Sequence, residues 1–148
     1  MQNTVDQALA YFGSEHNCSQ SVFRAVLEKY GVYFDEGTAA MAGLGGGVGL
    51  QGNVCGAVSG AVAAFGMLNN PKFSDFEEHK NATYTSAAKF IYKFKKKFDT
   101  IICDELTGVK MADKDARDDA IESGHFRKTC PKFVEEAVRI VLDIESKE

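Results

Sequence analysis

The feature that most constrains this chain is a stretch from Thr38 to Pro71 that carries no charged residue and no histidine, although nine of its 34 residues are glycine. A segment this apolar must be buried, either in lipid or in protein. Its longest unbroken aliphatic, aromatic and glycine run, Ala61 to Leu68, is far shorter than the ~20 residues that a membrane-spanning helix needs. Burial in protein is therefore expected, with no membrane insertion. Within the stretch, Gly45-Gly46-Gly47-Val48-Gly49-Leu50-Gln51-Gly52 is too rich in glycine to be helical, each such residue costing about 1 kcal/mol relative to alanine. Asn53 reads as a cap for a helix from Val54 to about Leu68. Its Gly56, Ala57, Gly60, Ala61 and Ala64 offer so little bulk that neighbouring backbones can come close. That helix is predicted to lie at the centre of the fold.

Helical spacing continues on both sides. Val5, Leu9 and Phe12 share one face of a first helix capped by Asn3 or Thr4 and stopped at Gly13; Asn17 with Gln20 forms a capping-box pair ahead of Val22, Phe23, Val26, Leu27 and Tyr30, and Gly31 ends that helix. A small-residue helix is expected near Thr38 to Leu44. Ser74 with Glu77 gives a second capping-box signature before a long helix with Thr83, Ala87, Phe90, Ile91, Phe94 and Phe98 on its apolar face. Ile101 to Gly108 reads as a short apolar element ending in a turn, Asp113 to Glu122 as a polar, exposed helix, and Cys130-Pro131 as the opening of a last amphipathic helix. The expected fold is all-α: one helical bundle over residues 1–148, built around a central Gly/Ala-rich helix.

Charge narrows the partners. With 17 Lys plus Arg against 21 Asp plus Glu the net charge is -4, which gives no general attraction to phosphate backbones or anionic lipid, so nucleic acid is not expected as a partner. The lysines between 89 and 97 alternate with aromatic residues, but helical geometry buries Phe90, Phe94 and Phe98 together and turns the lysines outward. Met1-Gln2-Asn3-Thr4-Val5-Asp6 has neither a basic start nor a long apolar run, so a cytoplasmic location is expected.

Four cysteines, Cys18, Cys55, Cys103 and Cys130, are separated by 37, 48 and 27 positions, with no CxxC pair. Zinc knuckles and the usual ferredoxin runs hold ligands a few residues apart, and neither pattern is present. Three of the four, Cys18, Cys55 and Cys130, fall at helix amino ends, where free backbone N–H groups and the positive end of the helix dipole favour a thiolate. The competing reading is that they are small buried hydrophobes. His16 and His125 lie two and five positions before a cysteine and could tune a thiol or supply a nitrogen ligand, although an uninvolved role is the simpler reading. Gly47 to Gly52 matches GxGxxG, but no strand precedes it and no acidic ribose partner follows, so close backbone approach to a sulfur site, or a packing turn, explains these glycines better than a nucleotide.

Cys55-Gly56-Ala57-Val58-Ser59-Gly60, the glycine-rich loop ahead of it, Cys18 within Asn17-Cys18-Ser19-Gln20, Cys103 before Leu106-Thr107-Gly108, and Cys130 before the last helix together resemble the C_GCAxxG_C_C family, small domains named for four cysteines and a CGAxxG segment. The resemblance implies redox activity and assigns Cys18, Cys55, Cys103 and Cys130 as the site residues, whether catalytic, cofactor-binding or metal-ligating. Three chemistries stay open: electron transfer through an iron-sulfur cluster, most simply [2Fe-2S]; metal-free cycling between dithiol and disulfide; and a zinc-bound interaction domain. Whether the chain is an oxidoreductase or an electron-transfer partner also stays open. A redox partner protein is expected in the first two cases. The small Gly and Ala faces suggest a homodimer. The four cysteines are expected to meet at one end of the bundle, three from helix starts and Cys103 from a loop.

Overall fold

The computed structural model describes residues 1–148 and is helical throughout, with no strand. Helix α1 (Gln2–Phe12) leads to α2 (Cys18–Lys29), α3 (Asp35–Ala40), a 3-10 turn (Ala42–Leu44), α4 (Gly56–Asn69), a second 3-10 turn (Asn70–Lys72), α5 (Phe76–Phe98), α6 (Cys103–Thr107), α7 (Lys114–Glu122), α8 (His125–Thr129) and α9 (Pro131–Ser146). None of these helices is long and apolar enough to cross a membrane. The all-α expectation holds, and α4 is the central helix, packed against α2, α5 and α9.

The expected capping box at α2 is present. The Gln20 N–H donates to Asn17 Oδ1 at 3.0 Å and the Asn17 N–H donates to Gln20 Oε1 at 3.1 Å. Asn17 also donates through Nδ2 to the Ala42 carbonyl at 2.9 Å, tying the start of α2 to the turn that precedes the glycine loop. Four other boundaries differ from the sequence reading. Helix α1 starts at Gln2 with Met1 at the cap position, so Asn3 and Thr4 lie inside its first turn and do not cap it. Asp75, not Ser74, caps α5, accepting from the Glu78 N–H at 2.9 Å. The segment near Thr38 to Leu44 divides into the end of α3 and a 3-10 turn. Helix α4 begins at Gly56 and not at Val54, because the backbone before it is already committed: Val54 forms an isolated antiparallel bridge with Ile102, the Cys55 N–H donates to the Ile101 carbonyl at 2.8 Å, and the Cys103 N–H donates to the Asn53 carbonyl at 2.6 Å. A backbone group that pairs across the chain cannot also enter the helix ladder.

Small residues set the central contact. A Cβ added at Gly60 would collide with the carbonyl oxygen of Ser19 on α2 and lie 3.1 Å from Ser19 Cα, so the two backbones touch where neither helix has a side chain to separate them. Ser19 and Ser21 are buried there without cost, Ser19 Oγ donating to the Met41 carbonyl at 2.8 Å and Ser21 Oγ to the Asn17 carbonyl at 2.7 Å. The other side of α4 presents Phe65 edge-on to Phe90 of α5, centroids 6.2 Å apart, and the rings continue through Phe94 and Phe98 to Phe133 of α9. The tight α2 contact fixes one end of α4, and this aromatic chain fixes the bundle around it.

Candidate functional site

The site is built from the glycine loop and four helix starts. From Gly46 to Leu50 five consecutive residues have φ between 60° and 71°, including the non-glycines Val48 and Leu50, so the chain makes a left-handed turn. Left-handed geometry costs a non-glycine residue roughly 1–2 kcal/mol, and here long-range backbone bonds hold it: Gly49 N–H to the Gly43 carbonyl at 2.8 Å and Asn53 N–H to the Gly47 carbonyl at 2.8 Å. The loop thereby folds onto the cysteines. A Cβ at Gly47 would fall 2.7 Å from Cys103 Cβ, and one at Gly56 would overlap Cys18 Sγ. Gly56 is thus required by the Cys18 sulfur, and Gly47 by the close approach of the loop to the Asn53 backbone and Cys103.

Each cysteine enters from its own helix. Cys18 is the first residue of α2, Cys55 the residue before α4, Cys103 the first residue of α6 and Cys130 the residue before Pro131 of α9. Cys103 is thus at a helix start and not in a loop; the bridge at Ile102 stops the extended backbone and lets α6 begin there. All four line one cavity of about 180 Å³. Most of its other walls are apolar, with Phe12, Leu106, Met111, Phe126 and Phe133 among them. Leu50 and Ile121 also line it and are 44% and 58% exposed, so the cavity reaches the surface between the glycine loop and α7.

The expected lowering of the thiol pKa values is overturned. Burial pushes the Cys18 thiol up even though the N–H groups of Gly46, Ser19, Cys18 and Gly56 oppose it. Burial and then the charge of Cys18 raise Cys55, against the N–H groups of Ala57 and Val58. Cys103 is pushed up to about 12 by burial, Cys18 and Asp104, and Cys130 to about 12 by burial, Cys18 and Cys103, with Lys132 acting the other way. The helix ends do aim their donors at sulfur, but taking the thiolates out of water outweighs them. All four cysteines are free thiols, and no three His, Cys, Asp or Glu groups are arranged to hold one metal ion.

Raised thiol pKa values have a consequence for stability. A group protonated more readily in the folded than in the unfolded chain stabilises the fold below its unfolded pKa, here near 9, and that contribution is lost as pH rises towards the folded value. The cofactor-free protein should therefore weaken above pH 9, Cys55 alone contributing up to about 1.4 kcal/mol per pH unit. Urea unfolding between pH 8 and about 10.5 should show a steeper decline for the native chain than for Cys55→Ala; identical slopes would contradict it.

Neither histidine joins the cysteines. Arg24 can only donate, so His16 Nε2 accepts from its Nη1 at 3.1 Å while the imidazole stacks on Tyr11 at 5.2 Å. His125 Nε2 donates to the Thr107 carbonyl at 2.6 Å and so braces the end of α6 against α8. The wall contributed by α7 is not foreseen by the sequence: the helix expected to be polar and exposed lines the cavity with Arg117 and Ile121, and Arg117 Nη1 donates to the Met111 carbonyl at 2.6 Å. The one available signal was Ile121, the single large apolar residue on a helix otherwise made of charged residues and two alanines.

Residues 16–144 match the model of the family described as "Putative redox-active protein (C_GCAxxG_C_C)". The chain belongs to the C_GCAxxG_C_C family. The match spans all four cysteines, the left-handed loop and the CGAxxG start of α4, so the family's defining residues are the ones that surround the cavity. No curated protein and no solved structure matches the chain.

Proposed function

We propose that this C_GCAxxG_C_C protein holds a [2Fe-2S] cluster on Cys18, Cys55, Cys103 and Cys130 and passes single electrons to a partner protein. The observation that carries the reading is the convergence of four thiols, from four separate helix starts, on one apolar cavity. When bound, such a cluster supplies a one-electron couple whose potential depends on hydrogen bonds to sulfur and on exclusion of water. The chain provides the first and much of the second: backbone N–H groups of Gly46, Ser19 and Gly56 face Cys18, those of Ala57 and Val58 face Cys55, and Phe12, Leu106, Phe126 and Phe133 make most of the wall apolar.

Two features of the donor set bear on the alternatives. A single zinc requires four sulfurs about 2.3 Å from one centre, and no three ligand groups here are so arranged. A two-iron cluster divides four thiolates between two metal atoms, so no three need share a point. Dithiol cycling needs an accessible thiolate, whereas Cys55 and Cys103 are buried.

Purification under nitrogen, or reconstitution with ferrous iron and sulfide, should give a brown protein with iron and acid-labile sulfide in equal amounts, and its visible bands should bleach reversibly with dithionite. Binding of zinc without labile sulfide, or a colourless protein whose thiols are consumed in pairs by mild oxidation, would replace this reading.

A further inference from the structure

The expected dimer was motivated by the small-residue face of α4, but that face is spent inside the protein on the contact with α2. A different surface carries the self-complementarity that a two-fold interface needs. Helix α5 buries Ser86, Phe90 and Phe94 against the bundle and turns its opposite face to water over its whole length. On that face Tyr84 and Tyr92 are 65% and 67% exposed, with exposed Thr85 and Ala88 between them. Two large rings flanking two small residues is a face fitted for another helix.

The charges on the same face are divided by position. Glu77 and Glu78 occupy the amino end of that face, and Lys89, Lys95 and Lys96 the carboxyl end, whereas Lys93 and Lys97 turn towards Asp143 and Glu136 of α9. The pairs Glu77 with Lys96, Glu78 with Lys95, and Thr85 with Ala88 share one midpoint, between Ser86 and Ala87. A second α5 laid antiparallel across that midpoint would set each acidic end against a basic end and leave only Thr85 and Ala88 at the crossing. Existing partners of these groups are weak: Lys80 to Glu77 at 3.3 Å is solvent-exposed, and Lys96 lies 5.8 Å from the Tyr92 ring.

The geometry points to a second copy of this chain as the occupant of the outer face of α5, in an antiparallel, two-fold symmetric dimer. A two-fold interface pairs residue i with j and j with i, and this charge pattern satisfies both pairings at once. An unrelated partner would need a surface patterned in the same two-signed way. This dimer does not depend on what the cysteines bind.

Sedimentation or light scattering at low salt should show a concentration-dependent monomer–dimer equilibrium that shifts to monomer as salt is added. Glu77→Lys with Glu78→Lys should raise the dimer Kd at least about tenfold, and so should Lys95→Glu with Lys96→Glu, each by placing like charges across the two-fold axis. Mixing the two variants should restore association as a heterodimer, and the fourfold charge swap in one chain should restore the homodimer. A native chain that stays monomeric, a dimer that neither variant weakens, or a mixture that remains monomeric would overturn the proposal. If either double variant loses helical content by circular dichroism, Ala88→Arg at an exposed helical position takes its place, and a dimer that survives it would be equally fatal.

Discussion

Gly60→Ala is expected to destabilise the fold by about 2 kcal/mol, whereas Gly66→Ala, six residues later on the same helix, is expected to stabilise it by about 0.5–1 kcal/mol. In an isolated helix both changes gain, because alanine loses less backbone entropy than glycine on ordering. Packing decides the sign. At Gly66 the nearest atom to an added Cβ is Thr83 Cγ2 at 4.0 Å, an ordinary contact. At Gly60 the Cβ would run into the backbone oxygen and Cα of Ser19, which belong to a helix pinned by the Asn17 cap and cannot rotate aside as a side chain would. Relief requires α2 and α4 to move apart, and that opens the contact on which the cysteine site is built. Gly60→Val, with more atoms to place, should cost still more and is expected to empty the folded fraction at modest urea. Denaturation midpoints at unchanged slope measure both substitutions, and equal stability of Gly60→Ala and Gly66→Ala would show that the backbones do not touch.

That contrast marks what a sequence can disclose. The lack of charge from Thr38 to Pro71 requires burial, and a run of Gly and Ala at helical spacing requires close backbones, so the central position of α4 was legible. So was the Asn17–Gln20 cap, whose chemistry is local and complete within four residues. The start of α4 was not, because Asn53 is as good a cap as Asn17 in isolation; only the pairing of residues 53–55 with 101–103, almost fifty positions away, removes it from that role. The same pairing explains why Cys103 begins a helix. The thiol energetics were misread for a related reason. Donors at a helix end are a local property, but burial depends on Phe12, Phe126 and Phe133 arriving from distant parts of the chain. Convergence of the four cysteines followed from the family resemblance and the helix starts together; the wall contributed by α7 left only Ile121 as a trace.

Single replacement of Cys18, Cys55 or Cys103 by serine is expected to abolish assembly of the proposed cluster, with more than about 90% of the visible absorbance lost, while Cys130→Ser retains a labile remnant. A serine hydroxyl in an apolar cavity cannot ionise near neutral pH, so an iron bound there would lack one anionic ligand. Three of the sulfurs are also held by backbone that the substitution leaves rigid. Cys55 and Cys103 are locked to each other through the 2.8 Å and 2.6 Å bonds of the Val54–Ile102 bridge, and Cys18 lies among four N–H groups around the start of α2. Rigid backbone cannot shift to recruit a replacement ligand or water. Cys130 is tied only to its own neighbours in sequence, its N–H donating to the Phe126 carbonyl and its carbonyl accepting from the Phe133 N–H, both at 2.9 Å, and it stands half-buried where the five-residue α8 meets α9, so a small local rearrangement can bring another oxygen to the metal. Cofactor-free cysteine-to-alanine variants should keep native helical content, which separates loss of ligation from loss of fold. Full colour in all four serine variants would remove these thiols from the site, and a Cys130→Ser variant as colourless as the other three would show that its backbone is as constrained as theirs.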